Sequence, residues 1–132
     1  MKNSHILDSS AWIEALDDGP NTQHFGPILL KLPDLIIPSI VITEIRRFIL
    51  RERGSEKADA ITRSLSSGII VELNTEIAKS AADLSHQHKL PLADSIIYAT
   101  TLATNSKLWT QDADFKDLPH VKYYPKIKPL TS

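Results

Sequence analysis

Four acidic residues of this chain occur at positions from which their carboxylates can meet. Asp8 and Asp112 each follow a short strand-like run, and Glu44 and Asp94 each lie near the start of a helix-like run. Two carboxylates about 5 Å apart repel each other by roughly 3 kcal/mol at an effective dielectric of 20. A hard divalent cation such as Mg²⁺ or Mn²⁺ relieves that repulsion, because it prefers oxygen ligands. The pattern therefore indicates a metal site that acts on phosphate groups, where the metal polarises a phosphoryl oxygen and a carboxylate orients or deprotonates water.

Each acid alone also has a simpler structural interpretation. Asp8 could cap the helix that follows it, and Glu44 could be an exposed helix residue. Asp94 could stabilise a helix N-terminus through the macrodipole, and Asp112 and Asp114 could be ordinary turn residues. The combination is more specific than any member, because the four acids are expected at one edge of one sheet.

Strand-like and helix-like runs alternate along the chain. Strands are predicted at residues 4–7, 35–37, 69–71, 108–110 and 121–123, and helices at residues 11–16, 21–32, 40–53, 55–67, 76–88 and 92–103. Strands that are apolar on both faces and separated by helices predict a parallel sheet covered on both sides. Ligands of such sheets bind beyond the carboxyl ends of the strands, and all four acids are expected at that edge.

Helix boundaries are predicted from capping residues and helix breakers. Ser9 and Ser10 are the expected N-cap of the first helix, Ser39 of the third and Thr75 of the fifth. Pro27 is expected to break the second helix, because proline lacks the N–H group that a helix interior needs.

The composition is that of one ordinary folded domain. The chain has 132 residues, of which 42% are hydrophobic and 23% are charged, and its formal net charge is −1. It has no cysteine, which excludes disulfides and thiolate chemistry and is consistent with the cytoplasm. We recognise no secretory signal and no run long enough to cross a bilayer, so no membrane partner is expected.

Four motifs occur together in the order of a known family. They are Leu7-Asp8-Ser9-Ser10-Ala11-Trp12, the segment from Pro38 to Glu44, Leu92-Ala93-Asp94-Ser95-Ile96-Ile97-Tyr98-Ala99, and Leu108-Trp109-Thr110-Gln111-Asp112-Ala113-Asp114-Phe115. In this order and spacing they resemble the PIN domain and, within it, the VapC toxins of bacterial and archaeal toxin–antitoxin pairs. The resemblance covers essentially the whole chain and implies a single PIN domain over residues 1–132, with a tail from about residue 125.

The resemblance implies a fold and an activity. The fold is α/β, a three-layer α/β/α sandwich with a central five-stranded parallel sheet of strand order 3-2-1-4-5. The activity is that of a Mg²⁺- or Mn²⁺-dependent endoribonuclease, cytoplasmic and homodimeric, which a cognate antitoxin protein neutralises. By position, Asp8, Glu44, Asp94 and Asp112 would be its catalytic and metal-site acids, with Asp8 and Asp94 as direct ligands.

Further residues take supporting roles in the same resemblance. Ser10 and Thr110 would hydrogen-bond the carboxylates or a water beside the metal, and Asp114 would assist Asp112. Arg46, Arg47 and Arg51 lie close behind Glu44 in the sequence. They could hold RNA phosphates, contact the antitoxin or form a solvated helix face.

Two other functions can be compared with the nuclease. A PIN-fold module that binds RNA or protein without catalysis would use the same fold, and a cleavage assay with Mn²⁺ separates it from the enzyme. A receiver domain that accepts phosphate on an aspartate is disfavoured, because Asp8 has no adjacent acid and neither Lys116 nor Lys122 is suitably placed after a strand.

Overall fold

A computed structural model describes residues 4–128 of the chain. Its strands are β1 (Ser4–Leu7), β2 (Ile36–Pro38), β3 (Ile69–Val71), β4 (Ser106–Thr110) and β5 (Val121–Tyr123). Its helices are α1 (Ser9–Leu16), α2 (Thr22–Leu29), α3 (Ser39–Arg53), α4 (Ser55–Ser66), α5 (Thr75–His88) and α6 (Leu92–Ala103), with a short 3₁₀ helix at Ala113–Phe115. The predicted alternation of strands and helices is therefore confirmed.

All of the strand pairs are parallel, as predicted. The described residues form a three-stranded sheet of order β1-β4-β5 and a two-stranded sheet of β2 and β3. Both sets of neighbours agree with the order 3-2-1-4-5, and β1 also contacts β2. That contact is packing rather than the continuous ladder we expected. Strand β2 has only three residues and ends at Pro38, which has no N–H to donate.

One hydrophobic core joins the strands to the helices. Ile6, Ile37 and Leu108 of the strands and Ile45 and Ile97 of the helices belong to it, and each is at most 1% exposed. Full burial of such a side chain contributes about 1.5–3 kcal/mol relative to exposure. The core therefore holds the strand ends and the first turns of α3 and α6 in fixed relative positions.

Several predicted helix boundaries are wrong in detail. The N-cap of α1 is Asp8, whose side chain accepts a hydrogen bond from the Ala11 amide, rather than Ser9 or Ser10. The N-cap of α5 is Asn74 rather than Thr75. A capping side chain must come from the residue just before the first helical one, where the backbone is still extended, as it is at both positions.

Two further boundary predictions fail for other reasons. Ser39 is already the first residue of α3, and Pro38 occupies the cap position without a side-chain hydrogen bond. Pro27 lies inside α2, which continues to Leu29. The missing N–H of Pro27 removes one helical hydrogen bond, but Phe25 and Ile28 on the same helix are buried in the core, and their burial offsets that loss.

Candidate metal centre

The carboxyl ends of β1 and β4 bring Asp8 beside Thr110. The register pairs Leu7 with Trp109, and the Asp8 amide donates to the Trp109 carbonyl at 3.2 Å. The hydroxyl of Thr110 donates to Asp8 Oδ2 at 2.6 Å, and the Asp112 amide donates to that hydroxyl at 2.9 Å. One hydroxyl thus connects the acid that follows β1 to the acid that follows β4.

The Asp8 carboxylate is buried, with 3% of the residue exposed. Its Oδ1 accepts hydrogen bonds from the Ser10 hydroxyl at 2.8 Å and from the Ala11 amide at 2.9 Å. Burial raises the pKa of Asp8 to about 6, because desolvation outweighs the hydrogen bonds from Thr110, Ala11 and Ser10 that favour the charged form. Asp8 is therefore both a helix cap and an acid at the sheet edge, so the two interpretations of it are compatible.

Asp94, the third residue of α6, is the electrostatic centre of the site. Its pKa is raised to about 8, first by burial and then by the charges of Asp112, Asp8, Asp114 and Glu44. Coulomb repulsion falls with distance, so Asp112, the first of these four, has the largest effect among the neighbouring charges. Asp8 and Glu44 contribute to the field at Asp94, and their membership of one site stays a prediction.

The tightest cluster differs in membership from the four acids named first. Carboxylate oxygens of Asp94, Asp112 and Asp114 lie within 4.8 Å of one another, and this is the one such group of three or more within residues 4–128. Asp112 also caps the 3₁₀ helix, since its Oδ1 accepts from the Asp114 amide at 2.9 Å. That turn brings the carboxylates of Asp112 and Asp114 close to Asp94. The sequence analysis gave Asp114 only a supporting role.

The donor set of this cluster suits a hard divalent cation. It offers oxygen atoms only, and Mg²⁺ and Mn²⁺ prefer carboxylate oxygen and water. Burial and, after it, the charges of the neighbouring carboxylates raise the pKa of Asp94. A dication would relieve the repulsion among those charges, so the residues fit the metal that the resemblance implied.

Glu44 borders the cluster from α3. The Ser9 hydroxyl donates to Glu44 Oε1 at 2.5 Å, which ties the first turn of α1 to α3. Sequence reasoning weighed Ser9 as a cap or supporting hydrogen-bond donor without assigning it a partner. The partner could not be read from the sequence, because the two residues are 35 positions apart and meet only through helix packing.

Arg46, Arg47 and Arg51, which follow Glu44 on α3, differ in their surroundings. The Arg46 guanidinium donates to Asp59 at 2.8 Å and to Thr62 at 2.9 Å, so it is engaged with α4. Arg51 pairs with the neighbouring Glu52 and lies over the Phe48 ring. A cleft of about 240 Å³ beside the site is lined by Ser9, Ile13, Glu44, Arg47, Phe48 and Arg51.

Arg47 also borders a second, more open groove. This groove has a volume of about 580 Å³ and runs along α3, where it is lined by Ile42, Thr43, Arg46, Arg47, Leu50 and Arg51. Arg47 and Arg51 are common to both hollows. Basic side chains therefore extend from the acidic cluster along the outer face of α3.

Comparison with known proteins agrees with this geometry. The family model described as "PIN domain" matches residues 5–121. No curated protein matches the sequence. Within the described residues, no helix is both long enough and apolar enough to span a bilayer.

Several solved structures share the fold. A toxin–antitoxin complex from Klebsiella pneumoniae is 24% identical with a TM-score of 0.76, over 93% of this chain and 99% of the other. VapBC2 from Rickettsia felis, bound to a promoter DNA fragment, is 18% identical with a TM-score of 0.72, over 92% and 98%. Mycobacterium tuberculosis VapC20, described as a sarcin–ricin loop cleaving toxin, is 16% identical with a TM-score of 0.70, over 84% and 92%.

Proposed function

This chain belongs to the PIN domain family, and from that premise we propose that it is a metal-dependent endoribonuclease of the VapC toxin type. It hydrolyses RNA phosphodiester bonds in the cytoplasm and is neutralised by a cognate antitoxin. The observation that carries the proposal is the cluster of Asp94, Asp112 and Asp114, whose carboxylate oxygens lie within 4.8 Å of one another. Burial and the charges of four other acids raise the pKa of Asp94 to about 8. A protein without a cation to bind at this edge would gain stability by losing one of these charges.

The acids would have different roles, according to the contacts that each one makes. Asp94, Asp112 and Asp114 offer oxygens within 4.8 Å of one another and would hold a Mg²⁺ or Mn²⁺ ion. When bound, this ion supplies Lewis-acid polarisation of a phosphoryl oxygen. Asp8 holds Thr110 and the first turn of α1 in place through its hydrogen bonds.

Glu44 would take a proton from an attacking water. It lies at the border of the cluster, and one of its oxygens accepts from Ser9 while the other has no hydrogen bond within residues 4–128. A general base needs an oxygen within reach of the nucleophile. Ser9 would orient Glu44 for that role.

Arg47 is the basic residue best placed for RNA. It lines the cleft that also contains Glu44 and Ser9, whereas Arg46 is engaged with Asp59 and Thr62. A guanidinium next to the acids can hold a phosphate of the strand and offset the repulsion between RNA and the carboxylates. Such a contact fixes the strand without reading its sequence.

The groove along α3 would receive the antitoxin. Its apolar lining from Ile42 and Leu50 lies among Arg46, Arg47 and Arg51, which suits a segment with apolar and acidic side chains. Solved structures of the same fold are described as toxin–antitoxin complexes. The homodimer implied by the resemblance stays a prediction, which sedimentation velocity on the purified chain would test.

A cleavage assay tests the enzyme against the non-catalytic binding module. Purified protein is incubated with total RNA and Mn²⁺, with EDTA in a parallel reaction, and the products are mapped. We expect cleavage that needs the metal and that Asp94→Asn reduces at least 100-fold, because this change removes a central charge of the cluster. Asp83→Asn, an exposed change on α5, is the matched control and should cleave like wild type. RNA binding without cleavage in the wild-type protein would favour the binding module.

A further inference from the structure

A buried asparagine, Asn21, connects α1, the loop after β4 and the C-terminal segment through hydrogen bonds. Asn21 is 1% exposed and precedes α2. Its side-chain Nδ2 donates to Gln111 Oε1 at 3.0 Å and to the Pro125 carbonyl at 3.0 Å. Its backbone amide donates to Glu14 Oε2 at 2.8 Å. The two N–H groups of the Asn21 side chain therefore bind Gln111 in the loop after β4 and Pro125 in the C-terminal segment.

Gln111 is the member of this network that lies in the loop after β4, directly before Asp112. It is 8% exposed and stands between Thr110 and Asp112. Its side chain accepts from Asn21 and donates to Glu14 Oε1 at 3.5 Å. Extended backbone sends successive side chains to opposite sides, and Asp112 is extended, with φ −88° and ψ 120°. Anchoring Gln111 on the inner side therefore fixes the side on which Asp112 emerges.

Glu14 closes the network from α1. Its carboxylate accepts from the Asn21 amide and from Gln111, and it occupies the space where a Cβ of residue 19 would lie, so Gly19 leaves room for it. The position of Glu14 is thus determined by the turn after α1 as well as by its hydrogen bonds. This carboxylate is not a member of the Asp94 cluster, and its hydrogen bonds go to Asn21 and Gln111.

The C-terminal segment also binds the end of β4, just before the same loop. The Tyr124 amide donates to the Thr110 carbonyl at 2.9 Å. The Tyr124 ring stacks on His24, with ring centres 4.0 Å apart, and lies nearly parallel to Trp109. Tyr124 is therefore bound to Thr110 at the end of β4, and Pro125 is bound to Asn21. Thr110 lies two residues before Asp112 in the sequence.

We propose that the Asn21–Gln111 side-chain pair is a positioning device for the metal cluster, which sets Asp112 and Asp114 relative to Asp94 and couples that geometry to the C-terminal segment. The inference rests on the proposed function, since it assigns these amides to the metal site of that enzyme. Neither residue is a member of the acidic cluster, so each would act through Asp112 and Asp114. Partners that orient metal ligands affect affinity by about 10–100-fold when they are removed.

The test compares Asn21→Ala, Gln111→Ala and the double variant with wild type. Asn74→Ala is the matched control, because it removes an asparagine whose side chain bonds a backbone amide at the start of α5 instead. The readouts are the Mn²⁺ dissociation constant from calorimetry and the hydrogen exchange of the Asp112 and Asp114 amides, at a temperature where every variant is folded. RNA cleavage is measured at low and at saturating Mn²⁺.

We expect Mn²⁺ binding about 10-fold weaker in both single variants, with no further loss in the double variant, because the two amides act as one unit. Exchange of the Asp112 and Asp114 amides should become faster, and excess Mn²⁺ should restore cleavage. Asn74→Ala should bind Mn²⁺ like wild type, although the loss of the α5 cap lowers its melting temperature.

The outcomes separate this inference from the proposed function. Equal Mn²⁺ affinity in wild type and Asn21→Ala would overturn the inference even if the protein cleaves RNA. If Asn21→Ala and Gln111→Ala bind Mn²⁺ more weakly than wild type, and the wild-type protein cuts no RNA, the positioning role is upheld and the nuclease is overturned. A wild-type protein that takes up no Mn²⁺ would overturn both.

Discussion

The Thr110 hydroxyl donates a 2.6 Å hydrogen bond to Asp8 Oδ2, across two neighbouring parallel strands. Both residues are almost fully buried, at 0% and 3% exposed. The bond favours the charged form of Asp8 against a desolvation that raises the pKa of this acid to about 6. It therefore reduces the electrostatic cost of keeping a charged acid at the sheet edge.

Thr110→Val tests this bond with little change of volume. Asp8 loses a donor, and the Asp112 amide loses its acceptor, so we expect the free energy of unfolding at pH 7 to fall by about 1–3 kcal/mol. The measurement is urea denaturation followed by circular dichroism. Thr101→Val is the control, since that buried hydroxyl bonds only the Ile97 carbonyl within α6. An equal loss in the two variants would mean that the acids add nothing to the role of Thr110.

Asp94→Asn should stabilise the metal-free protein. The change removes a charge that burial and four neighbouring carboxylates disfavour, and we expect a gain of about 1–2 kcal/mol at pH 8.5 in EDTA. Mn²⁺ should raise the melting temperature of wild type much more than that of the variant. A less stable Asp94→Asn protein would show that the carboxylate makes a favourable contact instead of suffering repulsion.

The stability of the metal-free protein should fall as the pH rises from about 4 to about 8. The folded-state pKa values of Asp8 and Asp94 are raised from 3.8 to about 6 and about 8. Between these values the folded state holds protons that the unfolded state has released, so increasing pH favours unfolding. The contribution is fully present below pH 4 and is lost above pH 8, by about 2–4 kcal/mol in total once solvent screening of the partly exposed Asp94 carboxylate has reduced the full effect of the two shifts.

Urea titrations in EDTA across this range would measure that slope. Asp94→Asn should keep the part between pH 4 and pH 6 that Asp8 causes and lose most of the part between pH 6 and pH 8. Saturating Mn²⁺ should flatten or reverse the wild-type slope, because metal binding favours deprotonated carboxylates. A flat metal-free profile would contradict the electrostatic description of the cluster.

Arg47→Gln should weaken RNA binding with little effect on folding. One fewer phosphate contact is expected to reduce the slope of log affinity against log salt by about 0.7 for a single strand. Fluorescence anisotropy with a labelled RNA and Asp94→Asn protein measures this without cleavage. Arg46→Gln is the comparison: it breaks the contacts with Asp59 and Thr62 and should affect stability more than the salt slope. Identical slopes in wild type and Arg47→Gln would remove Arg47 from the RNA site.

The order of strands and helices along the chain was enough to predict which acids lie at one edge of the sheet. Asp8 and Asp112 follow parallel strands, and Glu44 and Asp94 lie in the early turns of helices that begin at the same edge. In a parallel sheet the ends of all strands point one way. Connectivity alone therefore places such residues together, and the apolar strands that set this connectivity are visible as short runs in the sequence.

The tertiary structure decided how the gathered groups divide their roles. Asp114 enters the tightest cluster because the 3₁₀ turn capped by Asp112 directs it there. Asp8 is largely occupied by hydrogen bonds from Ser10, Ala11 and Thr110. These outcomes depend on loop conformation and hydroxyl geometry at the scale of single ångströms, which a pattern of residue types does not encode.

The Asn21–Gln111 pair belongs wholly to the tertiary structure. The two residues are 90 positions apart and neither carries a charge. Gln111 stands within the fourth motif, but nothing in the motif assigns it a role or a partner. They meet because α1, the turn after it and the end of β4 enclose a small polar space, and a buried amide must find partners wherever the fold leaves it. Local sequence determines which side chains are available, and only the packed chain determines which of them hold the acids in place.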